Sequence, residues 1–250
     1  MGKLTNKIAV VTGGAGGIGL ATGKVLAEDG ATVILTDRVA QEVLDKCAKE
    51  VGNGAIGIQV DVTKKDDLAR LSDEIRRRFG RIDVYYANAG VIKLAPLDQV
   101  TEDIFDMHIA VNMKAVLFGV QAALPLMKPG SSIVMTCSCM AHMGAPAHGV
   151  YSATKAAVRS FARTWALDLK DRQIRVNVVS PGGTDTPMLK ESGISPETHP
   201  DALAAFLPMV PSGRLARPSE IGRAVAFLAS DDSAYMNGAE IAVDGGVAQI

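Results

Sequence analysis

Short apolar runs alternate along the chain with longer stretches in which apolar residues recur every three or four positions. The runs at 8–11, 32–36, 54–60, 82–87, 132–136, 175–179 and 239–243 are rich in Val and Ile and hardly alternate with polar residues. That pattern predicts strands buried on both faces. The stretches at 17–29, 39–51, 64–79, 101–127, 149–170 and 218–229 carry a helical period. Strands separated by helices imply right-handed βαβ units and a parallel sheet. The expectation is an α/β chain with a doubly wound, Rossmann-like, three-layer fold on a seven-stranded parallel sheet. A single domain would span 1–250.

One segment breaks the rhythm. Between Pro187 and Pro218 lie Pro196, Pro200, Pro208 and Pro211, with two short helical patches. It follows the carboxyl end of the sixth strand, where open α/β sheets bind ligands. Long connections of this kind are usually functional or disordered. Its apolar content, with Met188 and Phe206 foremost, predicts a substrate lid at about 187–217.

Composition narrows the partners. The chain is 48% hydrophobic with a formal net charge of −1, which argues against nucleic acid or an anionic membrane surface. No uninterrupted apolar run approaches the roughly 18–20 residues of a span, so none is expected. The N-terminal residues lack an apolar signal core, and a cytoplasmic location is expected. Cys47, Cys137 and Cys139 are too few and too irregular for a disulfide framework or a metal site. They read as buried thiols, with Cys137 and Cys139 on the strand face opposite Ser138.

Candidate chemistry begins at Thr12-Gly-Gly-Ala-Gly-Gly-Ile-Gly19, between the first strand and the first helix. Gly13, Gly17 and Gly19 would let the backbone approach a pyrophosphate. The amides of Gly17, Ile18 and Gly19 would face it at a helix N-terminus. Asp37 ends the second strand and can accept both ribose hydroxyls of NAD. It would repel the 2′-phosphate of NADP. Arg38 beside it could grip such a phosphate, but Gly16 stands where a second cation would help, so NAD is expected over NADP.

Tyr151 and Lys155 share a helix face. An ammonium beside a phenol favours phenolate, which would lower the Tyr151 pKa toward the range of acid–base work. Ser138, at the end of the fifth strand, could hydrogen-bond the reacting oxygen. His142 and His148 lie between Ser138 and Tyr151 and could face a substrate, and Met140, Met143 and Met188 could form an adaptable apolar wall. The Arg76-Arg77-Arg78 run reads as a solvated helix end, and Arg214 and Arg217 as structural.

With these residues in view, the chain resembles the single-domain short-chain dehydrogenase/reductases over nearly its whole length. The matching motifs are Thr12-Gly-x-x-x-Gly-x-Gly19, Asp61-Val62, Asn88-Ala-Gly90, Asn112, Ser138, Tyr151-x-x-x-Lys155, Pro181-Gly182 with Thr186, and Asp244-Gly-Gly246. The resemblance implies an acid–base role for Tyr151, and for Lys155 both its tuning and a grip on the nicotinamide ribose. It implies that Asn112 bends the long helix and holds a water leading from Lys155 to solvent. Asp61 and Val62 would flank the adenine, Asn88 and Gly90 the ribose, and the Thr184 backbone with the Thr186 side chain the carboxamide. Thr184 stands where the family usually has Ile or Val. The resemblance also implies a homotetramer, built through the helices at 101–127 and 149–170 and through the C-terminal segment.

The reading is therefore an NAD-dependent alcohol dehydrogenase or ketone reductase acting on a small-molecule secondary alcohol or ketone. Met140, His148, Met188 and Phe206 are its candidate substrate contacts. The competing readings are an NADPH-dependent 3-ketoacyl reductase, which Asp37 disfavours, and a non-catalytic dinucleotide sensor, which has no need of the tetrad Asn112, Ser138, Tyr151 and Lys155.

Overall fold

The structure is a computed structural model that describes residues 2–192 and 200–250. Residues 193–199, inside the expected lid, lie outside the described residues.

The strands are β1 (Ile8–Thr12), β2 (Thr32–Asp37), β3 (Ile56–Gln59), β4 (Ile82–Ala87), β5 (Met127–Thr136), β6 (Arg175–Pro181) and β7 (Glu240–Val243). All pair in parallel, in the order β3-β2-β1-β4-β5-β6-β7, and make one seven-stranded sheet among the described residues. The helices are α1 (Gly17–Glu28), α2 (Gln41–Val51), α3 (Lys65–Arg78), α4 (Glu102–His108), α5 (Ala115–Ala123), α6 (Gly149–Asp168), α7 (Pro187–Glu191), α8 (Pro200–Phe206) and α9 (Pro218–Ala229). The fold is the Rossmann-like three-layer arrangement that the alternation implies.

Successive strand residues face opposite layers. Val10, Ile34, Ile133 and Val178 enter one core with Leu71 of α3, Val120 of α5 and Val158 of α6. Val11, Leu35, Val134 and Val179 enter the other with Leu26 of α1, Leu44 of α2 and Val225 of α9. Because both faces are covered, the strands need apolar residues at nearly every position. The strand order reverses between β1 and β4, and this opens a crevice at their carboxyl ends.

Three expectations are corrected. β5 starts at Met127 rather than 132, because Met127 pairs with Ile82 before a register shift between Ile82 and Val84. The helix Glu102–Leu126 runs 25 residues with mean hydropathy 1.5, long and apolar enough to cross a membrane by length and composition. Its buried residues Val116, Val120 and Ala123 pack into the first core. The cysteines also divide. Cys137 lies in the first core, whereas Cys139 packs with Val210 and Val247 in a third apolar cluster. Strand alternation stops at Ser138, whose hydroxyl accepts the Met140 amide at 3.2 Å and turns the chain into a short 3-10 helix over Cys139–Ala141.

The surface arginines behave as expected. Arg76 pairs with Asp73, and Arg77 and Arg78 with Glu74. Arg214 and Arg217 both reach Glu220.

Candidate active site

The glycine turn leaves β1 through Gly13, at φ +65, and enters α1 through Gly17, at φ +49, conformations that disfavour any side chain. A Cβ at Gly19 would lie 2.0 Å from the Gly13 carbonyl oxygen, so the turn closes only with glycine there. No side chain caps the N-terminus of α1, which leaves its first amides available to an anion. Ile18 turns inward against the second core. The Asn88 amide group braces the turn, donating to the carbonyls of Thr12 at 3.0 Å and Gly13 at 3.3 Å. The Thr12 hydroxyl accepts the Asn88 and Ala89 amides at 2.9 and 3.0 Å. Asp37 reaches the same turn: its carboxylate accepts the Ala15 amide at 3.3 Å and the Arg38 amide at 2.7 Å. Arg38 itself is exposed. Uncapped amides, a cradle without side chains and a carboxylate at the end of β2 fit a dinucleotide.

The flanking residues are less uniform. Asp61 accepts the Thr63 hydroxyl and amide at 2.7 and 2.9 Å, and these bonds hold its carboxyl below the usual range. Val62 lines a cleft of about 360 Å³ with Leu68, Ala110 and Phe118. Thr184 is buried and paired with Ala216, and its hydroxyl donates to the Gly182 carbonyl at 3.1 Å. The Thr186 hydroxyl is engaged too, donating to the Thr184 carbonyl and accepting the Leu189 amide to cap α7. A carboxamide would compete for it.

Asn112, Ser138, Tyr151 and Lys155 converge at the crevice. Asn112 is fully buried in a π-helical stretch, Ile109–Lys114, between α4 and α5. Such insertions recur at functional sites. This one interrupts the long helix at Asn112. Asn112 pairs twice with Val91, accepting its amide at 2.9 Å and donating to its carbonyl at 3.0 Å, and also donates to the Thr154 hydroxyl at 3.2 Å. A Cβ on Gly90 would sit 3.4 Å from Asn112 Oδ1 and 3.6 Å from Lys155 Nζ, so Gly90 borders both.

Lys155 Nζ donates to the Thr136 carbonyl at 2.9 Å and lies 5.7 Å from the centre of the Tyr151 ring. Burial lowers the Lys155 pKa to about 8. Burial likewise pushes the Tyr151 phenol up to about 12, opposed by the adjoining Ser138 hydroxyl. The expected lowering of the Tyr151 pKa is thus reversed in the free protein. Desolvation of the phenolate outweighs an ammonium that is committed to a carbonyl.

Sequence reasoning missed His108. It is fully buried one helical turn before Asn112. Its Nε2 accepts the Lys93 amide at 3.2 Å, so the proton sits on Nδ1, which donates to the Ile104 carbonyl at 2.7 Å. The i, i+4 spacing to Asn112 was the available signal. Ala147 was missed as well. It adopts φ +64 just before α6, and its carbonyl accepts the Ala95 amide at 3.1 Å. This contact ties the loop after β4 to the entry of the tyrosine helix.

The substrate-side candidates separate. Met140, Met143 and Phe206 pack around Cys139, Val210 and Val247. Met188 stays outside this cluster and is 37% exposed. His148 turns back on its own loop, 2.7 Å from the Pro146 carbonyl. His142 is drawn to Glu240 of β7 at 2.8 Å, where Arg159 and Ser180 also bind. Burial opposes ionisation of Glu240, but these partners hold its pKa low.

Comparison with known proteins agrees with this geometry. Residues 13–248 match the family profile described as enoyl-(acyl carrier protein) reductase. The chain belongs to the short-chain dehydrogenase/reductases, a family of nicotinamide-dependent oxidoreductases. It is 41% identical over 250 residues to the oxidoreductase asL5 of Sarocladium schorii, covering 99% of this chain and 98% of that one. It is 38% identical to the hydroxynaphthalene reductase-like protein Arp2 of Metarhizium robertsii (98% and 96% covered) and to the 3-oxoacyl-(acyl-carrier-protein) reductase FabG of Thermotoga maritima (98% and 99%). Among solved structures, levodione reductase superposes with a TM-score of 0.93 at 30% identity, covering 98% of this chain and 99% of that one.

Proposed function

We propose that the protein transfers hydride between a nicotinamide dinucleotide, NAD in preference to NADP, and a secondary alcohol or its ketone. The observation that carries this reading is the convergence of Ser138, Tyr151 and Lys155 on the crevice where the uncapped α1 N-terminus and Asp37 lie.

The bound dinucleotide supplies or accepts the hydride. In ketone reduction the Ser138 hydroxyl holds the carbonyl oxygen and the Tyr151 hydroxyl donates its proton to that oxygen. The phenolate left behind is stabilised by the Lys155 ammonium, which the Thr136 carbonyl holds in place. Asn112 fixes the Val91 backbone and Thr154, and thereby the seat of α6. In alcohol oxidation the same groups act in reverse. Burial keeps the Tyr151 phenol protonated in the free site, the form that ketone reduction starts from.

Asp37 supports NAD, since a 2′-phosphate would meet its carboxylate at close range. A homotetramer is part of the proposal. The exposed Phe105 of α4 and Leu167 of α6 offer apolar surface on the helices that would pair. The segment around 187–217 is proposed to close over the substrate. Its root lies against the glycine turn, where a Cβ on Gly17 would be 3.3 Å from the Thr186 methyl, and this proximity supports the reading.

The test is NADH and NADPH consumption against a panel of ketones. NADH-dependent reduction of a simple ketone supports the reading. Reduction of 3-ketoacyl thioesters alone, with NADPH, would replace it with the acyl-reductase reading.

A further inference from the structure

β4 and β5 part company at the crevice, and Thr136 stands where they separate. The two strands last pair at Ala87 and Met135. Beyond that pair the Cys137 amide still donates to Val179 of β6 at 2.8 Å. A trans peptide points its carbonyl opposite to its N–H, so the Thr136 carbonyl faces the side that β4 has left. There Lys155 Nζ donates to it at 2.9 Å.

The Thr136 side chain projects to the sheet face that holds Val134 and Tyr86. Its Oγ1 lies 2.7 Å from the Tyr86 hydroxyl and 3.3 Å from Asn88 Oδ1. The Asn88 amide nitrogen is committed to the Thr12 and Gly13 carbonyls, so the oxygen is the atom turned to Thr136. An amide oxygen only accepts, and the Thr136 proton therefore goes to Asn88. Burial pushes the Tyr86 phenol up, which keeps it protonated and able to donate to Thr136. The protons then run one way, from Tyr86 through Thr136 to Asn88. Asn88 has little room to give at the far end. A Cβ on Gly19 would lie 2.8 Å from its Nδ2, and one on Gly13 would lie 3.1 Å away. Side chains thus continue the tie between β4 and β5 after the ladder has stopped.

We infer that Thr136 is a positioning residue: its hydroxyl ties the end of β5 to the glycine turn through Asn88, its carbonyl holds the Lys155 ammonium, and dinucleotide binding is thereby coupled to the place of that ammonium. The inference rests on the reading that a dinucleotide occupies the glycine turn beside Lys155. A strand end without a neighbour is free to sway, and the ammonium on its last carbonyl would sway with it. The hydroxyl removes that freedom. A turn steadied by phosphates then steadies Lys155, and an ammonium already in place costs the dinucleotide less to meet.

The experiment is a double-mutant cycle on nucleotide affinity, which separates coupling from simple bracing. Dissociation constants of whichever of NADH and NADPH binds the wild type more tightly are measured by fluorescence. The proteins are full-length wild type, Thr136→Val, Thr136→Ser, Lys155→Met and the Thr136→Val, Lys155→Met pair, with folding followed by thermal melting. Thr136→Val keeps the shape and removes the hydroxyl, and should weaken binding about fivefold, the scale of one hydrogen bond. Thr136→Ser keeps the hydroxyl and should stay within about twofold of the wild type. In the Lys155→Met background Thr136→Val should cost about twofold or less, because no ammonium is left to position. Should Thr136→Val fail to fold, Thr136→Ala gives the same readout, and Lys155→Gln replaces Lys155→Met if that variant binds too weakly to measure. An equal cost in the two backgrounds would make Thr136 a brace of the turn alone and overturn the coupling. So would a folded Thr136→Val protein that binds like the wild type, or a Thr136→Ser protein as weak as Thr136→Val. A wild type that binds neither nucleotide would overturn the dinucleotide reading, and this inference with it.

Discussion

The imidazole of His108 meets the phenol ring of Tyr151 edge-on, with ring centres 6.4 Å apart and planes at 70°. An edge-to-face contact of this kind fixes a ring against rotation and sideways drift. His108 is fixed in turn by α4 and by the loop after β4, through Ile104 and Lys93. The tyrosine is thus located by packing as well as by its own helix.

His108→Phe keeps an aromatic edge beside Tyr151 but strands the Lys93 amide and the Ile104 carbonyl of the pair. Leaving one such group unmatched costs about 1–3 kcal/mol. Urea denaturation should show a loss of at least that size at unchanged slope. Turnover should survive better than in His108→Ala, which loses the edge as well. Equal turnover in the two variants would show that the ring contact does not position Tyr151.

The buried ammonium makes a pH prediction. Lys155 titrates near 10.5 in an unfolded chain and about 8 in the folded one. Between those values the unfolded chain binds more protons, so stability rises with pH across the window from about 8 to 10.5 and the penalty is full below 8. The gap corresponds to roughly 3 kcal/mol. Lys155→Met removes that penalty, so at pH 7 the variant should melt higher than the wild type while losing turnover. The difference should shrink as pH rises from 8 to 10.5. The raised Tyr151 pKa acts with the opposite sign above pH 10, but it is common to both proteins. A difference constant across this window would mean that Lys155 is not a desolvated cation.

Cofactor choice rests on Asp37. Asp37→Ala removes the charge that would repel a 2′-phosphate, and leaves the exposed Arg38 to meet it. The NAD-to-NADP ratio of kcat/KM should fall by at least about tenfold, or roughly 1.4 kcal/mol. The same variant loses the bonds to the Ala15 and Arg38 amides, so a modest drop in melting temperature should accompany the change. An unchanged ratio would mean that Asp37 does not face the ribose.

Much of the fold was legible because a sheet covered on both faces demands long Val- and Ile-rich runs, and because the helices between them keep their period. The glycine turn was legible because only glycine fits Gly13, Gly17 and Gly19. Tyr151, Lys155 and Ser138 could be grouped because Tyr151 and Lys155 share a helix face and Ser138 follows the end of a strand, whereas Asn112 came from the family resemblance. What escaped depended on contacts between distant segments. The start of β5 was hidden by Pro129-Gly130, which reads as a loop, although Met127 already pairs with Ile82. The location of Cys139 depends on a single hydroxyl–amide bond that ends the alternation. His108 is one polar residue in the helical stretch at 101–127, and only the fold shows that both of its nitrogens are matched. The sign of the Tyr151 shift was misjudged because helix spacing places the ammonium nearby but says nothing about burial.

Tyr151→Phe tests the central claim most directly. The substitution keeps the ring and its contact with His108 and removes only the proton that the reaction transfers. With NADH bound as tightly as in the wild type, ketone turnover should fall by about 10²–10⁴-fold, the scale of general acid catalysis. Near wild-type turnover in a folded, NADH-binding Tyr151→Phe protein would contradict the account.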